Sequence, residues 1–187
     1  MFLLAITPGL GFDRARWGAV LRSGIQGLLI REQALEARAL LDAARWCREA
    51  APVVEIWLGG RLDVALAAGV GLHAPEGHPE LDPTWLPLSR PLHAESQWPV
   101  RSGCAQLLVS PILPSPGKGE PWGVVRLHRF LDGLPAAGPR ILALGGLDPS
   151  NAGPLRHPRL DGLAAIRAFW SEDPAAAVAR FQTAWDR

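Results

Sequence analysis

Short apolar runs alternate along the chain with longer stretches in which apolar side chains recur every three or four residues, the pattern of successive β-α units in a parallel sheet. Eight runs predict strands over residues 2–7, 27–31, 53–58, 71–74, 86–90, 105–110, 140–144 and 162–166. Some, such as Leu28-Leu29-Ile30, are apolar without alternation, as a strand covered on both faces requires. Helices are predicted over 13–22 with Asp13 as N-cap, 35–49 stopped by Pro52, 61–68, 122–134, a short segment capped by Asp148-Pro149-Ser150-Asn151, and 175–185 opened by Asp173-Pro174. Residues 93–99 read as one or two helical turns and 75–83 as a surface loop, while Pro87 and Pro91 weaken the ladder of the fifth strand. Eight strands each followed by a helix predict a single α/β domain over 1–187, a compact (β/α)8 TIM barrel with minimal loops. A doubly wound open sheet is the competing architecture.

Composition changes this picture little. Hydrophobic residues are 48% and charged residues 20% of the 187, and the net charge of +1 leaves no basic stripe for a nucleic acid. No run approaches the ~18 apolar residues of a membrane span. Cys47 and Cys104 match no metal or redox spacing and read as thiols in a reducing compartment, so the expected location is cytoplasmic. Of the 19 basic residues only Lys118 is a lysine, and it sits in a proline-rich segment over 111–121. It is either a chance survivor or a functional ammonium.

In such a barrel the chemistry gathers where the strands end. Gly145-Gly146 after the seventh strand lets backbone approach an anion, and the turn after the eighth can aim N–H groups at the same point. Arg31, closing a buried apolar strand, reads as shielded from solvent and well placed for a substrate carboxylate, and Lys118 could close over a phosphate. Glu55, in a strand, reads either as an ion-pair partner of Arg31 inside the barrel or as a catalytic acid. The eight tryptophans read as filling helix-barrel and surface grooves rather than lining a cofactor site.

Six segments occur in the order seen in the thiamine phosphate synthase and TenI superfamily. They are Phe2-Leu3-Leu4-Ala5-Ile6-Thr7, Ile30-Arg31-Glu32, Arg61-Leu62-Asp63-Val64-Ala65-Leu66, Gly71-Leu72-His73, Pro111-Ile112-Leu113-Pro114-Ser115-Pro116-Gly117-Lys118 and Ala143-Leu144-Gly145-Gly146-Leu147. The chain resembles a divergent TenI-like member over nearly its whole length. The resemblance implies a phosphorylated thiazole as ligand, with its phosphate on Gly145, Gly146 and the turn Ile166-Arg167-Ala168. Arg167 stands where the family has a small residue, and its guanidinium would either clamp the phosphate or occupy its space.

The synthase branch of that superfamily holds Mg2+ on carboxylates. Its Gln-x-Arg-x-Lys pattern is here Leu29-Ile30-Arg31-Glu32-Gln33, its Asn-Asp-Arg is Gly59-Gly60-Arg61, and its second carboxylate falls near His78. The resemblance therefore implies the branch that works without metal or other cofactor, aromatising a thiazole carboxylate phosphate by moving a proton. His73 and His93 are the expected catalytic residues, each with the blander alternative of a strand-end or surface imidazole. The family's own histidine, after the sixth strand, is replaced by Pro111. The other readings are a non-catalytic thiazole or thiamine phosphate-binding accessory protein and a divergent synthase; a homo-oligomer is expected as a partner state.

Overall fold

The computed structural model describes residues 1–186. Eight parallel strands close into a barrel in sequential order: β1 (Phe2–Ile6), β2 (Gly27–Ile30), β3 (Glu55–Gly59), β4 (Gly71–His73), β5 (Leu88–Leu92), β6 (Gln106–Val109), β7 (Arg140–Leu144) and β8 (Gly162–Ala165), with β8 pairing back on β1. Closure removes every sheet edge, which settles the architecture in favour of the barrel over an open sheet.

Six α-helices surround it: α1 (Arg14–Leu21), α2 (Ala37–Ala50), α3 (Leu62–Ala68), α4 (Trp98–Arg101), α5 (Gly123–Asp132) and α6 (Pro174–Asp186). Asp13 caps α1, its carboxylate accepting from the Arg16 N–H at 2.9 Å, and Asp173 does the same for α6 through Ala176 at 2.8 Å. The eightfold alternation is incomplete. The β4–β5 connection carries no helix, and after β7 the Asp148–Asn151 turn leads only into a 3-10 turn over Gly153–Leu155. These two economies let 187 residues close the fold.

The predicted fifth strand is displaced by two residues, because β5 includes Pro91. Pro91 lies beyond the last β4 pairing, His73↔Ser89, so the N–H it lacks has no strand to reach. On the β6 side the ladder continues through Pro91↔Leu108 to Leu92↔Val109.

Two apolar layers hold the barrel. Between sheet and helices lie Leu3, Trp17, Leu28, Leu58, Leu107, Phe169 and Phe181 with their neighbours, the tryptophan and phenylalanines filling the gaps expected of aromatic side chains. Inside lie Leu4, Ile6, Leu29, Trp57, Leu108, Leu142 and Ala164. Trp57 fits there only because its β4 partner is Gly71, where a Cβ would stand 2.4 Å from the indole Cε3. Gly71→Ala is expected to cost about 2 to 3 kcal/mol through overpacking. Thermal unfolding should show it as a fall in Tm of about 5 °C or more.

Glu55 does not meet Arg31. It opens β3 at the N-terminal floor, whereas Arg31 follows β2 at the opposite rim. The Glu55 carboxylate accepts from the Arg140 guanidinium at 2.7 and 2.9 Å, and this pair spans the floor with Arg140 stacked 3.9 Å over the Phe2 ring. The structural ion pair expected of Glu55 is present with Arg140 in place of Arg31, and the catalytic role has no site to serve, since the rim where strands end is elsewhere. Among the described residues no helix is long and apolar enough to cross a membrane.

Candidate active site

The strand ends surround a cavity of about 780 Å3. Ile6, Leu29, Leu108 and Ala164 form its apolar base, and Arg31, His73, His93, Lys118, Gly145, Gly146, Ile166 and Arg167 are all on its wall. Ala168 is not; it is half-buried and packs toward the helix layer.

On one side the β7 glycines shape the wall. Gly145 (φ 104°) and Gly146 (φ 70°) take backbone conformations that L side chains rarely adopt. A Cβ on Gly145 would lie 2.9 Å from Pro111 Cα, and one on Gly146 would lie 2.8 Å from Leu113 Cβ. The loop after β6 is thus seated on these glycines, with the Leu113 N–H donating to the Gly145 carbonyl at 3.0 Å. Asn151 Nδ2 donates to the Gly146 carbonyl at 3.0 Å and holds the turn from behind. The Gly145 and Gly146 N–H groups donate to no acceptor among the described residues. Arg167 is exposed beside them, and its guanidinium has no partner among the described residues. Lys118 is likewise exposed on the facing loop.

The two imidazoles lie on neighbouring strand ends and are held differently. His93 follows β5, and three contacts fix it: its N–H donates to Gln97 Oε1 at 2.7 Å, its carbonyl accepts from Trp122 Nε1 at 3.1 Å, and its Nδ1 lies 2.7 Å from the Ser110 carbonyl. A carbonyl only accepts, so Nδ1 carries the proton and Nε2 presents a lone pair. The Glu76 carboxylate is 3.9 Å from that Nε2.

His73 ends β4 with its side chain inside the barrel, Nδ1 being 2.9 Å from the Ser89 hydroxyl. Burial first, then the positive charges of Arg90, Arg31 and His93, pushes its pKa down to about 4, so this ring is neutral at pH 7. The unfolded chain takes up a proton below pH ~6.5 that the folded protein refuses until about pH 4. His73 therefore costs no stability above pH ~6.5, and stability falls as the pH drops from there toward 4. The loss is about 3 kcal/mol at most, less where the pocket admits water. In urea unfolding at pH 4.5 and 7, His73→Gln should flatten this slope.

Two carboxylates border the cavity, and both are committed. Glu32, buried under the first loop, accepts from the Gly9 and Gly11 N–H groups at 3.0 and 2.7 Å. Glu76 accepts from Gln97 at 2.7 Å and from Arg101 at 2.8 and 3.1 Å, which keeps its carboxyl below the usual range. Gly60 offers no carboxylate in place of the synthase pair, and Glu80 and Asp82 of the 75–83 loop do not line the cavity, so the donor set does not suit Mg2+.

Arg31 corrects another expectation: it is exposed rather than shielded, and reaches the cavity from the rim. Sequence reasoning passed over Gln106, which like Ser89 is buried and faces into the barrel. The trace it leaves is a polar residue inside an apolar run, as conspicuous in Gln106-Leu107-Leu108-Val109 as Glu55 is in its own strand. Arg90, also buried, holds the loop before β5 through the His78 and Pro79 carbonyls at 3.2 and 2.9 Å.

No family model and no curated protein matches the sequence. Solved structures do match the fold. A thiamine phosphate pyrophosphorylase from Pyrococcus furiosus superposes with a TM-score of 0.87 at 18% identity, covering 99% of this chain and 95% of that one. One from Bacteroides thetaiotaomicron gives 0.66 at 15% identity, covering 98% and 95%. Phosphoribosyl anthranilate isomerase from Thermotoga maritima also gives 0.66, at 13% identity, covering 100% and 99%. At these identities the likeness is one of fold.

Proposed function

We propose that this protein is a metal-independent tautomerase that aromatises a phosphorylated thiazole carboxylate. The observation that carries the reading is two imidazoles on one cavity wall whose Nδ1 atoms are held by different partners, the Ser110 carbonyl for His93 and the Ser89 hydroxyl for His73. His93 offers an Nε2 lone pair backed by Glu76, and His73 is a neutral ring with its Nδ1 already bonded to Ser89.

In the proposed reaction the phosphate lies against the Gly145 and Gly146 N–H groups and Arg167, with Ile166 and the Ala168 turn behind them, and Lys118 closes from the opposite loop. Arg31 binds the substrate carboxylate. His93 Nε2 removes the proton from the ring carbon next to that carboxylate, and the electron pair moves toward its oxygens. His73 donates a hydrogen bond where that charge develops. The imidazolium of His93, facing Glu76, then returns the proton at the other carbon, leaving an aromatic ring and an unchanged enzyme. His93 also supplies what the Pro111 substitution removes: its ring leans onto Ser110 at the end of β6, the strand end where the resemblance expects a histidine.

Turnover of the non-aromatic thiazole carboxylate phosphate, followed by the ultraviolet absorbance of the product with excess EDTA present, tests the reading. Catalysis undiminished by the chelator is expected. Phosphate binding without turnover in the wild type would instead support an accessory binding protein, and Mg2+-dependent formation of thiamine phosphate would support a synthase.

A further inference from the structure

Four inward side chains on adjacent strands are register partners: His73↔Ser89, Ser89↔Gln106 and Gln106↔Arg140. Because the strands tilt, this row descends from the cavity to the barrel floor, where Arg140 meets Glu55. The contacts along it are 2.9 Å from His73 Nδ1 to Ser89 Oγ, 3.4 Å from Gln106 Nε2 to Ser89 Oγ, and 3.3 Å from Arg140 to Gln106 Oε1.

The direction of each hydrogen bond follows from the floor upward. A guanidinium only donates, so the Gln106 carbonyl end must face Arg140, which Glu55 holds with two hydrogen bonds. The Gln106 amide nitrogen is then turned to Ser89 and donates to its oxygen. Ser89, fully buried, has one hydroxyl hydrogen and, among the described residues, no acceptor other than His73 Nδ1. Were Nδ1 protonated, that hydrogen would be buried without a partner, at a cost of about 1 to 3 kcal/mol. Nδ1 therefore accepts, and the ring proton sits on Nε2, the nitrogen left for the cavity.

We infer that Gln106, anchored by the Arg140–Glu55 pair, is a positioning residue that acts through Ser89 to lock His73 as the Nε2–H tautomer, a hydrogen-bond donor toward bound substrate. Its catalytic meaning rests on the tautomerase reading above; the lock itself does not. An imidazole so held cannot exchange roles with His93, and the two rings keep separate tasks from one turnover to the next.

The test is two-bond 1H–15N correlation spectroscopy on the ligand-free full chain with 15N-labelled histidine at pH 7.5, which reports which ring nitrogen of His73 carries the proton. The wild type is expected to show Nε2–H. In Gln106→Glu both side-chain oxygens accept and Arg140 keeps the carboxylate ionised, so Ser89 reverses and His73 converts to Nδ1–H. Arg140→Met frees the amide to turn and should give a mixture of the two forms, while the His93 signals stay in place. With substrate, Gln106→Glu should lower kcat by about 10-fold or more with KM unchanged. An Nδ1–H wild type, or an unaltered Nε2–H form in both variants, overturns the inference. A wild type locked as Nε2–H but without turnover leaves the lock standing and removes the tautomerase reading.

Discussion

Replacing His93 by asparagine is expected to lower kcat for the thiazole carboxylate phosphate by about a thousandfold, within the ~10²–10⁴ that a positioned acid-base group supplies. Asparagine can still donate to the Ser110 carbonyl, so the β5–β6 contact that His93 makes at 2.7 Å survives in kind. The asparagine has no lone pair basic enough to take a proton from carbon. The backbone anchors to Gln97 and Trp122 do not depend on the side chain and should keep the loop in place. Affinity for inorganic phosphate, measured by calorimetry, should therefore match the wild type. A variant that retains turnover within threefold would remove His93 from the chemistry.

Gly146→Ala is expected to abolish measurable phosphate binding and to lower Tm. Its Cβ would stand 2.8 Å from Leu113 Cβ and 2.9 Å from the Pro114 carbonyl oxygen, and φ of 70° adds strain of its own. The loop over the glycines has to lift, and the two amides proposed to hold the phosphate shift with it. Gly117→Ala on that loop separates the causes: Gly117 has φ of 71° but nothing within 4 Å of a Cβ. It should share the conformational cost, about 1 kcal/mol, and keep phosphate affinity. Equal loss of binding in both variants would mean that backbone strain, rather than the seat of the loop on Gly146, shapes the wall.

Much of this barrel is legible in the chain because burial on both faces leaves runs such as Leu28-Leu29-Ile30 with no polar interruption. The rim was legible too, since glycines, arginines and histidines follow those runs directly. Periodicity could not supply register. Glu55 was matched with Arg31 because both flank neighbouring strands, yet one starts its strand and the other follows the end of the previous one. Register is also what aligns His73, Ser89, Gln106 and Arg140, four residues spread over 68 positions of sequence that no local pattern connects. The missing helix after β7 was masked by turn residues that serve a 3-10 turn as well as a helix start. Arg31 looked shielded because a strand-end residue inherits the burial of its strand only when a loop covers it, and the wide cavity leaves it open.

The most direct test of the central claim, an anion held by the last two β-α units beside two imidazoles with separate tasks, is a crystal structure with the aromatic thiazole carboxylate phosphate bound. The account predicts phosphate oxygens on the Gly145 and Gly146 N–H groups and the Arg167 guanidinium, with the ring between His73 Nε2 and His93 Nε2. A phosphate seated instead at the Arg61 rim, with the glycine turn empty and neither histidine touching the ring, would contradict it.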